Sequence, residues 1–259
     1  MAAGRVAEAV LLGLLQGATE FLPVSSSGHL VLLQHLFGIK QPEIFFDTLL
    51  HVATMTATLV FFRRDLWDLL VKVSGREKGA VVYAASLISA LVPTGAIGLF
   101  LEKKASLLFG SLTLTAGAFF VTALLLLSSR IIASEREKNP GILTGFCVGV
   151  AQGIAVVPGI SRSGATIVAG LFLGFGREEA FRFSFLISIP AIAGALLLNL
   201  LSGDLSSAFS LPAMTAGFVS AFAGGYISLL LLRRVVSQGK LHLFAPYLVI
   251  LSLLSLLLG

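Results

Sequence analysis

The chain has 259 residues, 56% of them hydrophobic and 12% charged, with a mean hydropathy of +0.98; that excludes a soluble globular domain and implies an integral membrane protein. The net charge of +5 comes from basic residues in short loops between apolar runs, which fits orientation in a bilayer and argues against a nucleic-acid partner. The single cysteine, Cys147, lies inside an apolar run, so an intrachain disulfide and a cysteine-based zinc cluster are both excluded.

In chain order, the apolar stretch from 6 to 15 is interrupted by Gln16, Thr19 and Glu20 with no small-residue cleavage site after it, and reads as mature protein rather than a signal peptide. Residues 5 to 37 form two short apolar pieces joined by a Pro-, Gly- and Ser-rich break. Such a pattern predicts a re-entrant helix hairpin, tolerated only where the broken backbone is buried in protein or lines a wet cavity. Three runs of crossing length follow, at 44 to 62, 80 to 101 and 107 to 127. A second broken region spans 141 to 174, and three further crossings are predicted at 180 to 201, 211 to 232 and 243 to 258. The runs have helix length rather than the short alternating segments of a barrel. The fold class is therefore an all-α polytopic membrane protein with six transmembrane helices and two re-entrant helix hairpins in a single membrane domain.

The two broken regions resemble each other. Gln16-Gly17 and Gln152-Gly153, like Ser27-Gly28 and Ser163-Gly164, stand 136 positions apart, with Pro23 and Pro158 one residue out of register. Each break precedes three crossings, which predicts repeat one over about 1–130 and repeat two over about 139–259 with inverted topology. Basic residues agree with that arrangement. Arg63, Arg64, Lys72, Arg76 and Lys78, then Arg130, Arg136, Lys138, Arg177 and Arg182, then Arg233, Arg234 and Lys240 all fall on one side; Arg5, Lys40, Lys103 and Lys104 fall on the other. The richer side is cytoplasmic by the positive-inside rule, and the hairpin tips meet near the midplane.

Glu20 and Arg162 are the informative charges, because an ionised group at membrane depth is costly and marks a functional site by default. Gln16 and Glu20, one helical turn apart, share a face and can address one ligand. Ser25, Ser26 and Ser27 after Pro23, and Ser161 and Ser163 after Pro158, are N-cap residues for helices restarting toward the centre. Two such N-termini offer free N–H groups and positive dipole ends, an anion site, to which Arg162 adds a planar fork suited to phosphate oxygens. His29 keeps company with serines, a carboxylate and an arginine, a set that supports proton transfer or nucleophilic attack at phosphorus. His35, His51 and His242 are read as packing residues.

These residues resemble the undecaprenyl-diphosphate phosphatase family. Gln16 to Glu20 is similar to its Glu/Gln-then-Glu pattern, FLPVSSSGH at 21 to 29 to its serine-rich turn and histidine, and Pro158 to Thr166 to its PGxSRSGxT signature. FFDTLLHVATMTATLVFFRRD at 45 to 65, PTGAIGLFLE at 93 to 102 and REEAFRFSFLISIPAIAGA at 177 to 195 extend the likeness over essentially the whole chain. The resemblance implies hydrolysis of a polyprenyl diphosphate to the monophosphate and phosphate, which recycles the lipid carrier of envelope polymers and confers bacitracin resistance. It also implies a divalent cation, Mg²⁺ or Ca²⁺, an outward-facing site in the inner (plasma) membrane, and a homodimer among membrane lipids. In that reading Glu20 holds the metal with Gln16 assisting, and Arg162 neutralises the diphosphate. Ser26 is the nucleophile with His29 as base, or the two exchange roles, and Ser25, Ser27, Ser161, Ser163 and Thr166 position phosphate oxygens. A lipid transporter or flippase using the same anion site is the competing reading. A phosphatidic-acid-type phosphatase is rejected, because Val168 stands where its histidine belongs six residues after the arginine.

Overall fold

A computed structural model describes residues 2–37, 44–132, 138–202 and 209–259. Among these, every regular element is helical: α1 (Ala2–Phe21), α2 (Ser26–Phe37), α3 (Ile44–Phe61), α4 (Arg63–Ser74), α5 (Lys78–Glu102), α6 (Ala105–Gly110), α7 (Leu112–Ser128), α8 (Ile142–Ile154), α9 (Arg162–Phe172), α10 (Arg177–Ser202), α11 (Leu211–Ser237) and α12 (Ala245–Leu258). Among the described residues, five spans are long and apolar enough to cross a membrane, or six if α3 and α4 count as one bent span. The protein is a multi-pass membrane protein. Lys40 and Arg136, used in the charge pattern, lie outside the described residues.

Two predicted crossings differ in detail. The run at 107 to 127 is divided at Ser111, whose extended backbone ends α6 and whose Oγ accepts the N–H of Leu114 to start α7; an N-cap serine competes with the continuing helix. The run at 44 to 62 is α3, but the chain bends by 64° after it and continues as α4, an element the apolar pattern did not announce.

The packing crosses between the two halves. α1 lies against α11, and α8 lies against α5, each through small residues that let backbones approach closely. A side chain at Gly17 would stand 2.6 Å from both the carbonyl oxygen of Ala221 and the nitrogen of Gly225, and one at Gly149 would overlap the backbone of Ala90. Hydroxyls join the second pair, with Ser89 donating to the carbonyl of Ile142 (2.8 Å) and Thr94 to that of Gly149 (3.0 Å). α7 pairs with α12, where Ser252 donates to the carbonyl of Ala116 (2.8 Å). An aromatic cluster of Phe21, Phe61, Phe62, Phe181 and Phe185 fills the space between α1, α3 and α10. At the basic end, Arg182 pairs with Asp65 (3.0 Å) and Arg233 with Glu178 (3.0 Å), tying α10 to α4 and α11.

Gly149→Ala is expected to destabilise the protein by about 1–3 kcal/mol through overpacking, seen as a lower melting temperature in detergent. Gly95→Ala within α5, where no atom lies within 4 Å of the new methyl, should leave that temperature unchanged or raise it. Equal melting temperatures for the two variants would contradict the close approach of α8 and α5.

Candidate active site

Both breaks arise from local sequence. Pro23 disfavours helical backbone at Leu22 and so ends α1, and the chain turns back through Ser25, which sits in the left-handed region at φ 66°. Ser25 is held in this conformation by its side chain. Its Oγ accepts the N–H of Gly28 (3.3 Å) in the first turn of α2 and the N–H of Gly159 (3.0 Å) in the other break. The second break mirrors the first, with Ser161 Oγ accepting the N–H of Gly164 (3.1 Å) at the start of α9. Ser25 and Ser161, Gly28 and Gly164 hold the same offset seen in the sequence. Gly159 has φ 97°, and a side chain there would run into α7 at Thr115 and Ala118, so glycine is required on both counts. Thr122 of α7 fixes this turn by donating to the carbonyl of Gly159 (2.8 Å) and accepting the N–H of Ser161 (3.2 Å).

Glu20, in the last turn of α1, is the centre of the polar network. Its side chain is 7% exposed, and Arg162 Nη2 donates to Oε1 at 2.6 Å. Oε2 accepts from Ser26 Oγ (2.9 Å) and from Gln16 Nε2 (3.2 Å). His51 Nε2 stands 3.8 Å from the same oxygen. His51 Nδ1 faces the carbonyl of Asp47 at 2.9 Å; a carbonyl only accepts, so the proton is on Nδ1 and Nε2 is left to face Glu20. Removing Arg162 would strand the Glu20 charge, at a cost of about 3–5 kcal/mol.

These groups border a cavity of about 330 Å³. Its lining is polar at Thr19, Glu20, Ser25, Ser26, Ser27, His51, Ser161 and Arg162 and apolar at Phe109, Ala155, Val156, Ile160, Ile192, Ala195 and Leu196. Ser26, Ser27 and Arg162, in the first turns of α2 and α9, are among the lining residues, so both helix N-termini border the cavity.

Of the residues expected from sequence, Glu20, Ser25, Ser26, Ser27, Ser161 and Arg162 therefore meet on the cavity, with Gln16 directly behind Glu20. His29, Ser163 and Thr166 do not border it. His29 is buried, its Nδ1 donating to the carbonyl of Ser25 (2.8 Å) and its Nε2 accepting from the Tyr247 hydroxyl (2.7 Å). With both nitrogens engaged, the expected contact between His29 and Ser26 is not formed; the ring instead fastens the Ser25 turn to α12. Ser163 Oγ lies beside Ser161 Oγ at 3.3 Å. Thr166 turns back to the carbonyl of Arg162 (2.8 Å) and bonds Ser184 of α10. Conversely His51, read as a packing residue, is a cavity residue. The only signal for it in the sequence is its place one turn after Asp47 in an otherwise apolar run.

The donor set suits a cation that arrives with its ligand. One carboxylate, Glu20, borders the cavity with Gln16 beside it, and the described residues hold no cluster of three or more His, Cys, Asp or Glu able to form a closed metal cage. Mg²⁺ commonly binds in this way, through one or two carboxylates, substrate phosphates and water; Ca²⁺, which takes six to eight oxygens, matches it less well.

Comparison with known proteins gives a consistent result. The family described as "Bacitracin resistance protein BacA" matches residues 9–254. A protein named undecaprenyl-diphosphatase from Desulfosudis oleivorans is 45% identical over 268 residues, covering 97% of this chain and 98% of its own. Proteins of the same name from Treponema denticola (42% identical, 95% and 94% covered) and Korarchaeum cryptofilum (39%, 97% and 99%) are similar over comparable lengths.

Ser25 is expected to separate hydrogen bonding from backbone strain. Ser25→Ala removes an acceptor from two buried N–H groups and keeps a side chain at positive φ, whereas Ser25→Gly loses the acceptor but relieves the strain. Melting temperatures should fall in the order serine, glycine, alanine; an alanine variant as stable as wild type would refute the junction role.

Proposed function

The chain belongs to the bacitracin resistance protein BacA family, and from that membership and the site we infer that it hydrolyses undecaprenyl diphosphate to undecaprenyl phosphate and inorganic phosphate. It thereby recycles the lipid carrier for peptidoglycan and other envelope polymers and confers bacitracin resistance. One observation carries the assignment to this cavity: Glu20 holds Arg162 and Ser26 together in a cavity lined by both polar and apolar side chains. A diphosphate linked to a prenyl chain has the same mixed chemistry.

Arg162 and the N-termini of α2 and α9 bind the phosphate oxygens, with Ser25, Ser27 and Ser161 orienting them. Ser26 is the nucleophile and Glu20 is its base, a role supported by the 2.9 Å contact between them. As Ser26 Oγ bonds to the terminal phosphorus, its proton passes to Glu20, the anhydride P–O bond breaks and the lipid monophosphate leaves. Water then attacks the phosphoserine, releasing phosphate and restoring the hydroxyl. Arg162 offsets the charge developing on the transferred group. A divalent cation held by Glu20 and Gln16 together with the diphosphate would supply further charge neutralisation.

The cavity opens outward from an inner (plasma) membrane in this reading, and the halves 1–130 and 139–259 form inverted repeats. The support is positional. His51 lies in the first half of α3, Phe109 just before α7 and Leu196 near the end of α10. By connectivity these are the span ends opposite Arg63, Arg64, Lys138, Arg177, Arg233 and Arg234.

The test is phosphate release from undecaprenyl diphosphate by detergent-purified protein. Wild type should release phosphate, and a chelator should abolish release. Ser26→Ala should lower kcat by about a hundredfold or more with an unchanged melting temperature, and Arg162→Ala should lower kcat as much with a lower melting temperature, because it leaves Glu20 unpaired. Normal turnover by Arg162→Ala would overturn the site assignment. Binding of the lipid without release under any condition would favour lipid transport instead.

A further inference from the structure

α4 has no buried residue, yet it is not a polar helix. It follows α3 after a break at Phe62 and turns away from it by 64°. α3 has 18 residues, about 27 Å at the usual rise and nearly the whole of a hydrocarbon core about 30 Å thick, so the crossing needs at most the first turn of α4. α4 is therefore free to leave the crossing direction. Its two apolar faces have different surroundings. Leu66 packs against the protein core, and Asp65 on the same side pairs with Arg182. Trp67, Leu70 and Val71, at three- and four-residue spacing, form the other face and are 67%, 61% and 54% exposed. Arg63 and Arg64 stand one turn before Trp67, and Lys72, Arg76 and Lys78 follow the stripe, all exposed, against the exposed acids Asp68 and Glu77. Arg63 is fixed at the bend, donating to the carbonyl of Val60 (2.8 Å).

An apolar stripe carrying a tryptophan and rimmed by cations is complementary to one surface in particular, the boundary between headgroups and acyl chains of an anionic leaflet. Basic residues beside a crossing are drawn to such a leaflet by its negative surface potential. We propose that α4 is an interfacial anchor, seating Trp67, Leu70 and Val71 among the upper acyl chains and binding anionic phospholipid headgroups through Arg63, Arg64 and Lys72. Because α4 continues directly from α3, the anchor sets the depth of the helix that carries His51. The inference does not rest on the phosphatase reading.

Trp67 is the only tryptophan in the chain, so the intact protein carries its own reporter. The full-length protein would be reconstituted into vesicles of phosphatidylcholine alone or mixed with phosphatidylglycerol, and Trp67 emission followed with iodide and with lipids brominated at shallow or deep acyl positions. The proposal expects blue-shifted emission, weak quenching by iodide and stronger quenching by shallow than by deep bromines. It also expects an additional blue shift with phosphatidylglycerol that R63Q/R64Q/K72Q abolishes. Strong iodide quenching in both compositions would put α4 in water. Deeper bromines quenching more would make α4 part of a broken crossing. Shielding from iodide without bromolipid quenching would mean that a protein surface, a second copy or another chain, covers the face. Identical emission in the two lipid compositions would remove headgroup recognition. Each of these four results overturns the proposal, and the wild-type comparison needs no variant that might fail to fold.

Discussion

The ion pair between Glu20 and Arg162 is the contact on which the arrangement of the site depends. Neither charge could be accommodated alone at membrane depth, and they come from helices far apart in sequence, the last turn of α1 and the first turn of α9. Satisfying one therefore requires that the two breaks meet. Once they do, Ser26 and Gln16 donate to the second carboxylate oxygen, and a buried pair that would otherwise be a poor source of stability becomes a specified geometry. The same contact leaves the other carboxylate oxygen beside the Ser26 hydroxyl.

The glycine seams make that meeting possible. α1 reaches the centre by lying in a groove of α11, and α8 by lying in a groove of α5. Both grooves exist because glycine and alanine remove the side chains that would hold the helices apart. The broken backbone is thus buried in protein, and its polar groups find partners in Ser25, Ser161 and Thr122 rather than in lipid.

Much of this was legible in the amino-acid order. Apolar runs located the crossings, and Pro, Gly and Ser located the breaks. Charges embedded in apolar surroundings singled out Glu20 and Arg162, because a bilayer penalises them so strongly. What escaped depends on neighbours distant in the chain. His51 is one polar residue in an apolar helix, and only the seating of α3 beside α1 turns it toward Glu20. His29 has the composition of a catalytic residue, but Tyr247, 218 positions away, occupies its free nitrogen. Ser163 and Thr166 sit in a serine-rich signature, yet their positions on α9 direct their oxygens to the helix and to Ser184. α4 was missed for a different reason, since a helix of mixed charge and apolar residues does not register in a search for long hydrophobic runs. Ser111 likewise shows that one capping residue suffices to divide an otherwise uniform stretch.

The crossed packing of the halves has a consequence for how the chain is made. α1 is synthesised first, but the groove that receives it belongs to α11, which is completed only with Ser237. Glu20 similarly waits for Arg162. Until then the nascent chain exposes a small-residue seam and an unpaired carboxylate, so the amino-terminal hairpin must be kept from wrong partners while most of the protein is still being inserted. The late crossings of the chain thus decide when α1 can settle into its final packing.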